Sequence, residues 1–170
     1  MNDAYSSNNL ADRHAITDLI YAYCRAVDRL DVALGHSIWH EDGYADYGEA
    51  IYQGPGRGVI DLICEQHRQM LHHSHQVTNI LIDLDGDRAG SEAYVFLALR
   101  LEAQKQLQQI SVWGRYIDSW SRRAGRWGLD KRFLVIDFDE IRPVAEMSRH
   151  ARGQRDASDP SYAVLGSLRR

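Results

Sequence analysis

Leu71-His-His-Ser-His75-Gln-Val-Thr-Asn-Ile80-Leu-Ile-Asp-Leu-Asp85-Gly-Asp87 is the stretch at which this chain changes period. After His75, Val77, Asn79, Leu81 and Asp83 alternate with Thr78, Ile80, Ile82 and Leu84, the two-residue repeat of a strand. Asp85-Gly86-Asp87 then supplies a hairpin turn. Residues 91–101, 110–121 and 127–141 continue as strands, with Arg122-Arg-Ala-Gly125 as a second turn. Upstream the repeat is helical. Ile16, Leu19, Ile20, Tyr23, Val27 and Leu30 recur at three- and four-residue spacing and predict an amphipathic helix over residues 10–30. A short helix is expected over 32–39, then a break at Asp42-Gly43 and a short strand over 44–47. Tyr52-Gln-Gly-Pro-Gly-Arg-Gly58 is turn chemistry, and residues 59–71 form a third helix. Three helices followed by long antiparallel strands predict an α+β fold, helices packed on one face of a curved sheet.

With 170 residues, 44% of them hydrophobic, the chain is long enough for one domain with a sizeable core. The formal net charge is −4, and the basic residues of the C-terminal stretch (Arg149, Arg152, Arg155, Arg169, Arg170) are interrupted by acidic ones. This argues against nucleic acid as the main partner, since phosphate binding needs clustered positive charge. Cys24 and Cys64 are far apart, which predicts free thiols and a reduced, cytoplasmic setting. Neither a basic-then-apolar leader nor a membrane-length apolar run is visible, so no membrane partner is expected. Residues 1–8 read as frayed. Beyond Pro143 the composition turns to Arg, Ser, Asp and Gly, a tail (143–170) with an apolar anchor at Tyr162-Ala-Val-Leu165 and the character of a cap or oligomer contact.

Two polar residues stand where a core is expected. Asp28 closes Ile16-Thr-Asp-Leu-Ile-Tyr-Ala-Tyr-Cys-Arg-Ala-Val-Asp28 on the flank of the helical stripe, and His75 opens the strand. A carboxylate that holds an imidazole makes a general base that works near neutral pH. His67, His72, His73 and His75 invite a metal reading, but adjacent His72 and His73 diverge on a helix and no HExxH is present, so no metal is expected. Gly54-Pro-Gly-Arg-Gly58 lacks the Lys-Ser/Thr of a phosphate loop.

The helix ending in Asp28, the His75-Gln-Val-Thr-Asn79 strand start and the hairpin Tyr116-Ile-Asp-Ser-Trp-Ser-Arg-Arg-Ala-Gly-Arg-Trp127 together resemble the SnoaL-like branch of the nuclear transport factor 2-like superfamily, over roughly residues 10–142. The Asp28/His75 pairing looks like the dyad of its scytalone dehydratase, hexachlorocyclohexane dehydrochlorinase and bile-acid dehydratase members. That resemblance implies a cone of curved, antiparallel or mixed sheet closed by three N-terminal helices and holding a hydrophobic, cyclic small molecule. It implies a cofactor-free lyase in which His75 takes a proton from carbon, Asp28 orients the ring and Tyr23 contacts substrate. Tyr47, Arg132, Tyr116 and Trp39 are the expected substrate-binding residues, Arg132 through its likeness to the dehydrochlorinase arginine that assists a leaving halide. A homo-oligomer, trimer or dimer, through the open face of the sheet is expected. The chain departs from the pattern in three places. The dehydrochlorinase carries a lysine where Tyr23 stands, the bile-acid enzymes carry an arginine near Ile136-Asp137, and no second histidine appears over 91–101. The superfamily also contains isomerases, dehydrohalogenases, non-catalytic binding modules and the small subunits of ring-hydroxylating oxygenases. An epoxide hydrolase of this type would use an Asp-Arg-Asp set, for which Asp118, Arg100 and Asp137 are available.

Overall fold

A computed structural model describes residues 6–145 and 153–165. Helix α1 (Ser7–Arg29) buries Ile16, Ile20, Tyr23 and Val27, the stripe read from the sequence. It begins three residues earlier than the apolar pattern because Ser6 caps it, its hydroxyl accepting from the Asn9 amide at 3.3 Å. Leu30 ends it in a left-handed conformation, φ 54°. Residues 1–5 of the stretch expected to fray, and Arg149, Arg152, Arg169 and Arg170, lie outside the described residues. Among the described residues, no helix is long and apolar enough to cross a membrane.

Helix α2 (Val32–Ile38) leads directly into strand β1 (Trp39–Asp46), which starts well before the expected position. Asp42-Gly43 does not break the chain. A Cβ at Gly43 would stand 2.8 Å from the Trp39 ring and 2.9 Å from the Leu129 carbonyl, so this glycine permits a close approach inside the strand. Strand β2 (Gln53–Pro55) and helix α3 (Gly56–Arg68) follow. The helix starts at Gly56 because only a residue without a side chain fits there, 2.0 Å separating its hypothetical Cβ from the Trp39 ring. It ends at Arg68, and strand β3 (His72–Asp85) already includes His72 and His73, which the sequence placed on the helix.

Strands β4 (Arg88–Ala103), β5 (Gln106–Arg123) and β6 (Arg126–Pro143) complete a six-stranded sheet ordered β2-β1-β6-β5-β4-β3. All pairs are antiparallel except β1 and β6, which run parallel, so the expected meander is a mixed sheet. The simple alternation expected along β3 is also interrupted. His73, His75 and Val77 face inward, but beyond a bulge at Asn79 (φ 50°) it is Ile80, Ile82 and Leu84 that do so. Directly paired residues share a face. At one end of the cone the inner rows are Ala89–Trp120–Leu129 and Ser91–Asp118–Arg132, all nearly solvent-free. At the other end, His75 pairs with Leu97, Leu97 with Val112 and Val112 with Asp139. In the rows on either side of this one, Ile136 and Ile141 stand 43% and 60% exposed, so this end is open.

The segment 153–165 returns to the helices and carries helix α4 (Ser161–Val164). The expected apolar anchor reduces to Tyr162. Its ring is buried under the Arg25 guanidinium at 4.7 Å, while Val164 is 82% exposed.

Candidate active site

The last turn of α1 carries Asp28 to the start of β3. Its carboxylate accepts from His75 Nδ1 at 2.7 Å and from the His75 backbone amide at 3.0 and 3.1 Å. An ionised carboxylate only accepts, so Nδ1 bears a proton, and in the neutral imidazole the lone pair is then on Nε2. No described residue partners Nε2. The dyad is well sheltered, the His75 side chain being 5% exposed and that of Asp28 15%. Arg29 donates to the Asp28 backbone carbonyl instead, leaving the carboxylate to the histidine.

Two further imidazoles surround this pair. The His67 ring lies 4.4 Å from that of His73 and 5.5 Å from that of His75. His73 Nε2 donates to the Val27 carbonyl at 3.0 Å, while His72 points outward. Burial, then the neighbouring His75 and His73, push His67 down to about 3, and burial lowers His73 as well. Both rings are therefore neutral beside the dyad. Among the described residues, no group of three or more His, Cys, Asp or Glu side chains is arranged to hold a metal ion.

Tyr23, Tyr47, Tyr116 and Arg132 are also brought together, at the closed end. Arg132 is fully buried, with Nε and Nη2 each 2.7 Å from an Asp118 oxygen, and its guanidinium lies 4.1 Å from the Tyr23 ring centroid and 3.9 Å from that of Tyr116. Burial opposes its charge, but the Asp118 carboxylate outweighs this and holds the guanidinium well above its ordinary value. Arg132 Nη1 has no partner among the described residues. Tyr23 and Tyr47 hydroxyls share a 2.5 Å hydrogen bond, and burial raises both, as it raises Tyr116. Cys24, one turn before Asp28, is pushed up to about 12 by burial.

Other expectations change with the coordinates. Trp39 is wholly buried, its ring packed against Gly43 and Gly56. Arg132 is wholly buried, although its neighbour Lys131 is exposed. The Asp-Arg-Asp set does not assemble. Asp118 holds Arg132, Arg100 Nε donates to Gln109, and Asp137 pairs with Arg115 on the outer face. Sequence reading missed Asp118 as the partner of Arg132. Their pairing depends on the β5–β6 register, which no local pattern encodes. It noticed His67 only as a metal candidate. An open cleft of about 610 Å3 runs beside the α1–α2 turn, between Arg29, Leu34 and Ser37 on one side and Arg155, Asp156 and Tyr162 on the other. Neither Asp28 nor His75 lines it.

Residues 8–132 match the family described as SnoaL-like domain. No curated protein matches the chain by sequence. Among solved structures, the chain is similar to LinA, with 26% identity, 84% of this chain and 95% of that one covered, and a TM-score of 0.70. It is similar to a candidate scytalone dehydratase from Novosphingobium aromaticivorans, with 20% identity, coverage of 89% and 100%, and a TM-score of 0.66. It is also similar to a protein of unknown function from Mycobacterium tuberculosis, with 21% identity, coverage of 99% and 92%, and a TM-score of 0.66.

Proposed function

This chain belongs to the SnoaL-like family, and from that premise we propose that it is a cofactor-free lyase, dehydratase-like, acting on a hydrophobic cyclic small molecule. The observation that carries the reading is the 2.7 Å contact of Asp28 with His75 Nδ1, which leaves the Nε2 lone pair without a described partner. His75 Nε2 takes the proton from a carbon next to an electron-withdrawing group. The C–H electron pair forms the new double bond as the neighbouring C–O bond breaks, and the imidazolium returns its proton so that water departs. Asp28 holds the ring in its tautomer and stabilises the imidazolium. Leu97 and Val112, paired in the same row as His75, give the substrate an apolar wall. Arg132, whose Nη1 has no partner among the described residues, and the hydroxyls of Tyr23 and Tyr47 are the candidates to receive developing negative charge, with Tyr116 stacking the guanidinium in place. LinA, a hexachlorocyclohexane dehydrochlorinase, is a structural relative and supports elimination as the reaction class.

The test is turnover and deuterium uptake from D2O on a panel of cyclic hydroxy-ketones, with His75→Gln and Asp28→Asn beside the wild type. Each substitution is expected to lower the rate by about 10²–10⁴-fold while the far-UV circular dichroism stays unchanged. Ligand binding without turnover, unaffected by either substitution, would replace the lyase with a binding module or an oxygenase small subunit.

A further inference from the structure

The C-terminal segment 153–165 is fastened at two places, and the helices it joins both supply side chains to the dyad's surroundings. On one side it meets the last turns of α1. Arg25 Nη1 donates to the Ser161 hydroxyl at 3.1 Å, Arg29 Nε stands 3.6 Å from Asp159, and the Tyr162 hydroxyl donates to Asp31 just beyond the helix at 3.1 Å. Asp28 lies between Arg25 and Arg29 on that helix. On the other side Arg155 makes a connection. Arg155 Nη1 donates to the His67 carbonyl at 2.7 Å and to the Met70 carbonyl at 2.8 Å. These carbonyls lie at the end of α3 and just beyond it, and that of His67 also accepts from the Met70 amide at 3.1 Å. A cation on them is favourable both as a hydrogen-bond donor and against the helix dipole.

His67 carries this connection to the reacting ring. Its backbone is held by Arg155, and its buried side chain packs on His73 and His75. Asp28 fixes one edge of the His75 ring and the backbone behind it, while the His67 ring bears on the ring itself. We propose that His67 is a positioning residue for His75 and that Arg155 is the latch that keeps it there, so that the segment 153–165 completes a site whose chemistry lies on α1 and β3. The inference rests on the lyase reading of Asp28 and His75, and it explains how a residue more than a hundred positions from Asp28 in sequence bears on that pair.

The groups that face His67 are His73 and His75 from β3, the Val27 carbonyl from α1, and Arg155 from the C-terminal segment. A neutral ring tolerates an imidazolium forming on His75 beside it, where a second cation would oppose it. Phenylalanine at position 67 would keep the supporting ring, and alanine would remove it.

The experiment is ¹⁵N NMR of the histidine rings in the full chain at pH 8, with His75 assigned by its loss in His75→Gln. It reads the Nδ1–H tautomer directly and needs no substrate. The wild type is expected to hold His75 as the Nδ1–H tautomer. Arg155→Ala and His67→Ala are expected to lower that fraction to on the order of a half, whereas His67→Phe retains it. With a substrate in hand, Arg155→Ala is expected to lower kcat by about 10-fold or more with KM little changed. Wild-type His75 signals in Arg155→Ala would overturn the latch, and wild-type signals in His67→Ala would overturn the positioning role. If His67→Ala fails to fold, Arg155→Ala decides alone, because it leaves the packed core untouched. A tautomer response without turnover on any substrate overturns the lyase and keeps the latch. Turnover without a tautomer response does the reverse.

Discussion

Asp28 occupies both of its oxygens with one partner, the amide and the ring of His75, so backbone and side chain are pinned by the same charge. Around that charge the protein has placed uncharged imidazoles, and this has a consequence for acid stability. His67 is pushed from its ordinary 6.5 to about 3 by burial and by its neighbours. A base harder to protonate when folded binds fewer protons than the unfolded chain, so stability falls as pH drops below about 6.5, by about 1.4 kcal/mol per pH unit, until the folded group itself protonates near 3. His73 is shifted in the same direction and adds to the loss. Urea unfolding of His67→Phe is therefore expected to lose about 2 kcal/mol less than the wild type between pH 7 and pH 5. Parallel losses in the two proteins would show that the burial of this imidazole does not govern acid sensitivity. Asp28 and His75 could be singled out in the sequence because each is polar in an apolar pattern. His67 could not, since its role depends on a helix end and a distant arginine meeting in space. The burial of Arg132 was equally hidden, because β6 shifts register beside it, turning Lys131 out and Arg132 in.

Among the elements, β3 decides which residues reach the cone interior. Its bulge moves the inward set from odd to even positions, so that His73 and His75 face the same interior as Ile82 and Leu84. Asn79 accommodates this with φ 50°, a conformation that asparagine tolerates and β-branched residues resist. Asn79→Val is expected to cost about 1–2 kcal/mol in chemical denaturation, and Asn79→Gly much less. Equal midpoints for the two variants would mean that the bulge does not depend on this backbone state. Helix α1 and the hairpins were legible because their signals are local: apolar spacing in the first, turn residues between strand formers in the others. The early start of α3 was not, because Gly56 serves the Trp39 ring packed against it and only looked like part of a turn. The parallel pairing of β1 with β6 was equally hidden, since strand periodicity carries no information about which strand lies alongside.

Taken whole, the molecule has a face that the described helices do not cover. Phe96, Trp113 and Phe138 pair directly across β4, β5 and β6 on the outside of the sheet, their rings 4.9 and 4.8 Å apart, and Tyr94 and Phe138 are 45% and 60% exposed. Arg115 at the edge of this patch, held between Glu92 and Asp137, gives it a rim of mixed sign that a second copy can satisfy. The chain is expected to run as a dimer or trimer in light scattering, and Trp113→Arg as a monomer. A wild type that is already monomeric would leave the aromatic ladder without that role. The interior has a different asymmetry. Its closed end is locked by Trp39, Trp120, Leu129 and the Arg132–Asp118 pair, whereas the rows on either side of His75 run out on β6 to the exposed Ile136 and Ile141. Substitutions on that open rim cost little, because those side chains contribute least to the core. Descendants of such a chain can redraw the rim, while the Asp28–His75 pair and the side chains that keep the chain folded stay as they are.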